Sequence, residues 1–141
     1  HKRKEVHIGI PDFDLIENDP EVYPGLEIPV IAYFNDLGIT ARYTYDYGDC
    51  WIHTVKLEGY LHKEKDIRYP VCIDGKRACP PEDCGGVPGY MDLLEKLKDP
   101  KHEDYEDLKA WVGNEWDAEV FDANAVQFFN PYQRWLKAFL E

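Results

Sequence analysis

The sequence predicts an α+β domain in which an antiparallel sheet with a central hairpin carries helices packed on one side. Three observations predict it. Residues between Ile39 and Leu57 alternate with period two, and Tyr90–Leu97 and Tyr105–Val112 carry apolar stripes at helical spacing. Between these regions lies a segment too rich in proline and glycine to be a regular helix or strand. The 141 residues suit one domain, 1–141, long enough to bury a core. Hydrophobic residues at 44% and aromatics at 14% argue for folding despite a net charge of -12.

In chain order, Val6, Ile8 and Ile10 alternate with polar neighbours, and Pro11 stops what reads as a first strand. Asp12 to Gly25 combines acids with two prolines and no clean period, the pattern of a surface loop. The run IPVIAYFNDLG from Ile28 has proline near its start and Gly38 at its end, as a short helix would. Its β-branched Ile28, Val30 and Ile31 make a strand the competing reading.

Ile39, Ala41, Tyr43, Tyr45 and Tyr47 then alternate with polar residues, and Trp51, His53, Val55 and Leu57 repeat the pattern. Gly48-Asp49 is flexible enough to reverse the chain between them, which gives an antiparallel hairpin. Glu58 to Arg68 is charged and reads as a loop or a frayed strand end. Tyr90, Leu93, Leu94 and Leu97 fall at i, i+3, i+4 and i+7, a helix that must end before Pro100. Tyr105, Leu108, Trp111 and Val112 form a second stripe that ends at Gly113. Asn114 to Phe129 reads as a turn and a short strand. Asn130 then caps a helix that has Pro131 at its first position and Gln133 reaching back, with Trp135, Leu136 and Phe139 on its apolar side.

The segment from Tyr69 to Tyr90, YPVCIDGKRACPPEDCGGVPGY, holds three of the four cysteines, four prolines and four glycines. It reads as a fixed irregular loop, clamped between the sheet and the helices. Such loops persist where they shape a site or fasten neighbouring elements.

The hairpin segment YTYDYGDCWIHTVKLE and this loop, with its run Pro80, Pro81, Glu82, Asp83, Cys84, Gly85 and Gly86, resemble the Ri-plasmid open-reading-frame-three-like family. The motif of Asp46, Gly48, Asp49 and Trp51 at the strand end contributes to the likeness. DAEVFDANAVQFFN, from Asp117 to Asn130, is similar to the family's closing segment. The resemblance covers roughly Ile39 to Asn130. It implies an α+β domain, without an assigned reaction, from a prokaryotic family found partly in plasmids and insertion elements under resolvase-like labels. The front departs from the pattern: nothing before Val6 supplies the family's tryptophan-bearing basic strand and the helix after it. A copy lacking both, with one face of its sheet uncovered, is the expectation.

Charge and chemistry narrow the function. Against 28 acidic residues stand 16 basic ones, a balance opposed to nonspecific nucleic-acid binding. The one dense basic cluster, Lys2, Arg3 and Lys4, is terminal. No apolar run approaches the about 20 residues of a membrane span, and HKRKEVH has no signal-peptide core, so the expected location is the cytoplasm with no membrane partner. Thiols normally stay reduced there.

Cys72, Cys79 and Cys84, with His53 or Cys50, offer zinc a four-ligand set. Their spacings, six residues and then four, are not the close pairs of a zinc knuckle, and Glu82 and Asp83 disfavour thiolates. Buried thiols plugging a stiff loop are therefore preferred to a metal site, and a metal site to a redox pair or disulfide.

Asp46, Asp49 and His53 could form a general-base group. The four-residue step from Asp49 to His53, about 13 Å in a strand, instead favours aspartates bonding turn amides. Gly85, Gly86 and Gly89 favour helix entry over phosphate binding, because no GxxxxGK[ST] is present. The tyrosines of the hairpin favour core packing over a platform for bases or peptides.

These weights lead to a noncatalytic binding or interaction module, linked by resemblance to plasmid or mobile-element biology, with a protein or small ligand as partner. The alternative is a metal-dependent or thiol enzyme using the cysteine loop with Asp49 and His53. Third comes a nucleic-acid accessory protein.

Overall fold

The computed structural model describes residues 6–9, 22–25 and 27–139. They form a mixed α+β structure with two short sheets and three helices. The described residues fall in two compact units, one within His1–Thr40, Lys56–Tyr60 and Phe129–Glu141, the other within Ala41–Val55 and Leu61–Phe128.

In the first unit, β1 (His7–Gly9) pairs in parallel with β2 (Val22–Pro24), His7 opposite Val22 and Gly9 opposite Pro24. The predicted first strand is therefore present at His7–Gly9 but leaves out Val6, while Ile10 and Pro11 lie outside the described residues. The surface loop expected from Asp12 to Gly25 is corrected at Val22–Pro24, where three residues beside Pro20 and Pro24 were too few to show a period. Gly25 N extends the pairing by donating to Gly9 O at 2.7 Å.

The helix expected from Ile28 shrinks to one 3-10 turn, Val30–Ala32, preceded by extended Pro29. Adjacent β-branched Val30 and Ile31 lose rotamer freedom in a helix, and the chain reverses soon after at Gly38, whose φ is 82°. Gly38 N donates to Leu57 O at 2.8 Å and Leu57 N to Ile39 O at 2.9 Å, and the Tyr60 hydroxyl donates to Phe34 O at 3.3 Å.

At the end of this unit, α3 (Pro131–Phe139) begins as expected: Asn130 Oδ1 accepts from Tyr132 N at 3.0 Å and Gln133 N at 3.3 Å. Leu136 is half-buried, and the Trp135 and Phe139 side chains lie outside the described residues.

The second unit is built on residues 41–55 of the hairpin of β3 (Thr40–Tyr45) and β4 (Trp51–Lys56), two antiparallel strands where the sequence predicts them. Among the described residues this sheet has two strands only. α1 (Gly86–Lys96) starts earlier than its leucine stripe and takes Pro88 into its first turn, where a missing N–H costs no hydrogen bond. Leu93 of that stripe is 3% exposed, the one buried large hydrophobic residue among those described.

The second stripe is α2 (Tyr105–Val112), with Glu106 and Asp107 at its positive end and Gly113 at φ 91° past its last turn. Lys96 joins the two helices, 3.0 Å from Asp92 and 3.1 Å from Asp104. Hydrogen bonds to Asp92 and Asp104 hold its ammonium above the usual lysine range.

The strand expected within Asn114–Phe129 is absent. A 3-10 turn, Ala123–Ala125, stands there instead, with Asp122 Oδ1 accepting from Asn124 N at 2.9 Å. Local carboxylate caps of this kind compete with strand pairing. The segment braces the cysteine loop: Ala78 N donates to Ala118 O at 2.9 Å, and Arg77 pairs with Glu119 at 2.8 Å. Gly75 lies so close to Phe121 that a Cβ there would come within 2.5 Å of the ring.

Candidate functional site

The sequence motifs meet where the hairpin turn reaches the start of α1. The reversal spans Asp46 to Cys50, with Cys50 N donating to Asp46 O at 2.7 Å. Asp46 Oδ1 accepts from Gly48 N at 2.8 Å and Asp49 N at 3.3 Å, the amide-bonding role expected of a turn aspartate. The left-handed positions are Asp46, φ 56°, and Cys50, φ 53°, rather than Gly48. Aspartate tolerates that conformation better than most residues.

Asp49 serves a different element. Its Oδ2 accepts the Gly85 amide at 3.1 Å. That amide belongs to the residue preceding α1, so the carboxylate sits at the positive end of the helix. Gly85 and Gly86 take φ of 84° and 64°, and a Cβ on Gly86 would stand 2.5 Å from the Asp49 carbonyl oxygen. The glycines therefore provide a left-handed entry and close backbone approach, and Asp49 fills the place an anion would take.

Thirty-seven residues apart, the Tyr45 hydroxyl donates to both carboxylate oxygens of Glu82, at 2.9 and 3.1 Å. Trp51 meets Tyr90 of α1 edge to face, ring centres 6.1 Å apart. Nothing in the sequence announces either long-range pair.

His53 is elsewhere: exposed, its ring lies against Tyr43, centres 5.6 Å apart. Asp49 and His53 thus engage different partners and form no base-and-orienter pair. The expectation that the tyrosines pack into a core is corrected at Tyr43, 53% exposed, and at Tyr47, 80% exposed in the turn.

All four thiols are free, and none is fully buried: Cys72 and Cys84 are half-buried, Cys50 and Cys79 exposed. The reading as buried plugs is corrected accordingly. Cys50 Sγ donates to Tyr47 O at 3.2 Å and Cys72 Sγ to Asp74 O at 3.6 Å. Burial, and then the Asp49 charge, push the Cys84 thiol above its ordinary value of 9.0, against the pull of backbone amides. A thiol held protonated is a poor nucleophile. Among the described residues, no three of His, Cys, Asp and Glu gather in a group able to hold a metal ion, so Cys72, Cys79, Cys84 and His53 are not brought together as ligands. No helix among the described residues is long and apolar enough to cross a membrane.

An aromatic hairpin tied through its turn to a cysteine-bearing loop and the helix after it defines an α+β protein. The chain belongs to the plasmid pRiA4b ORF-3-like protein family, whose pattern it matches over residues 2–125. It is 29% identical over 128 residues to the uncharacterised protein y4hQ of Sinorhizobium fredii, across 90% of this chain and 62% of that protein. A crystal structure of a protein of unknown function from Methanosarcina mazei superposes with a TM-score of 0.71 at 42% identity, across 86% of this chain and 64% of that one. The chain thus spans less than two thirds of either relative. The family match begins ahead of the region on which the sequence motifs carried the resemblance.

Proposed function

We propose that the chain is a noncatalytic binding module that engages a protein partner through its hairpin. The observation that carries this reading is that the hairpin leaves large apolar side chains uncovered on both of its faces, Tyr43 on the one it shares with His53 and Ile52 on the other. Tyr43 is 53% and Ile52 64% exposed, although β-branched and aromatic strand residues are ordinarily covered. The four free thiols support a reducing compartment, and we place the binding in the cytoplasm. The family takes its name from a plasmid open reading frame, which supports a search for the partner among proteins of plasmids and other mobile elements.

The test is quantitative affinity capture with the wild-type chain and a Tyr43→Ala/Ile52→Ser variant, both checked for folding by circular dichroism. A prey protein retained by the first and lost from the second supports the reading. Identical capture by both, or none by either, overturns it.

A further inference from the structure

At the end of the second unit where the hairpin turn meets α1, three large apolar side chains are uncovered. Tyr47 is 80% exposed, two residues before Asp49, and Val87, next to Gly86, is 56% exposed. Met91, one helical turn beyond Val87 on the same side of α1, is 60% exposed. The close approach of Gly86 to the Asp49 carbonyl holds the two stretches together at their backbones.

Charge identifies what would cover these side chains. Neither Tyr43–Val55 nor Ala78–Leu94 contains a lysine or arginine. The same stretches carry Asp46, Asp49, Glu82, Asp83 and Asp92. Of these, Asp92 pairs with Lys96, while Asp46 and Asp49 are engaged by backbone amides. Glu82 is held by a neutral hydroxyl, Tyr45, and exposed Asp83 adds a second carboxylate beside it. A second copy of this chain would bring its own charge of -12 against this end of the unit. A nucleic acid would repel it in the same way.

We propose that this end of the unit docks a lysine- or arginine-bearing segment of a partner protein. The aliphatic stems would lie across Tyr47, Val87 and Met91, with the cationic heads reaching Glu82 and Asp83. The proposal rests on the reading of the chain as a binding module and adds the chemistry of the partner.

The experiment places a photo-crosslinking amino acid at Tyr47 or Val87 in the full chain, with Tyr43 and Ile52 as further positions. Leu61, equally apolar and exposed but close to Lys63 and Lys65, serves as control. Cross-linked peptides are then identified by mass spectrometry.

The expected result is one short partner stretch containing Lys or Arg, captured from both Tyr47 and Val87. Its yield should fall about fivefold in a Glu82→Gln/Asp83→Asn variant, the upper scale for losing an exposed ion pair. It should fall likewise in about 1 M salt, where screening shortens to about 3 Å. A captured stretch without basic residues, a second copy of this chain, or yields no higher than at Leu61 would overturn the proposal. Cross-linking confined to Tyr43 and Ile52 would overturn it while leaving the binding module standing, and silence at every position would end both.

Discussion

Asp49 accepts the Gly85 amide at 3.1 Å, so a single carboxylate in the hairpin turn fastens the residue from which α1 begins. The bond replaces an N-cap on the helix itself, since Gly85 has no side chain to offer. Replacing Asp49 by Ala should therefore cost about 1 kcal/mol, the usual scale for a lost cap. Asn, which keeps an acceptor oxygen, should recover most of that. Urea unfolding of the three proteins checks this, and equal midpoints would show that the bond contributes nothing in solution.

The same carboxylate raises the Cys84 pKa, after burial, above 9.0. Asp49→Asn should therefore lower it, making the thiol more reactive just below pH 9. Reaction with an aromatic disulfide reagent, in a background where the other three cysteines are serine, reads this directly. An unchanged pH profile would leave burial as the cause.

Because the folded-state pKa is raised, the protonated thiol is the form that folding favours. That contribution is complete below the unfolded value and is lost as pH rises through the folded one. Wild-type stability should thus fall on the alkaline side of 9.0 more steeply than that of Cys84→Ala. Thermal melts of both proteins across that range give the comparison, and parallel curves would contradict it.

Much of the fold was legible in the sequence because its signals are local. The alternation around Tyr43 and His53, the stripes through Leu93 and Leu108, and the Asn130-Pro131 cap each specify one element within a few residues. β2 was hidden because Val22–Pro24 is too short to show a period. The strand expected near Val126 lost to the carboxylate cap at Asp122. At the site, the PPEDCGG run and the Asp-Gly-Asp turn were visible, but not their union: Asp49 to Gly85 and Tyr45 to Glu82 are contacts over 36 and 37 residues. The sequence favoured aspartates bonding turn amides over an Asp49–His53 pair; Asp46 has that role, whereas Asp49 reaches the amide of Gly85, which no local spacing signals.

Zinc is a further point on which spacing and geometry can be checked. Cys72, Cys79, Cys84 and His53 do not gather as a ligand group, so elemental analysis of protein purified without chelator should find no stoichiometric zinc. About one zinc per chain, lost in Cys79→Ser, would require the loop to rearrange around the metal.

Gly86 offers the sharpest test of how closely the turn and α1 approach. Its φ of 64° disfavours any side chain, and a Cβ there would also stand 2.5 Å from the Asp49 carbonyl oxygen. Gly38 has a similar φ of 82° but nothing within 4 Å of its would-be Cβ. Ala at Gly38 should therefore cost only the left-handed strain, about 1–2 kcal/mol. Ala at Gly86 should cost that strain together with displacement of the turn, and so exceed Gly38→Ala by about 1 kcal/mol or more. It should also weaken the Asp49 bond to Gly85, so that adding Asp49→Ala to Gly86→Ala costs less than Asp49→Ala alone. Equal penalties at the two glycines, or strict additivity with Asp49→Ala, would mean that turn and helix are not in backbone contact in solution.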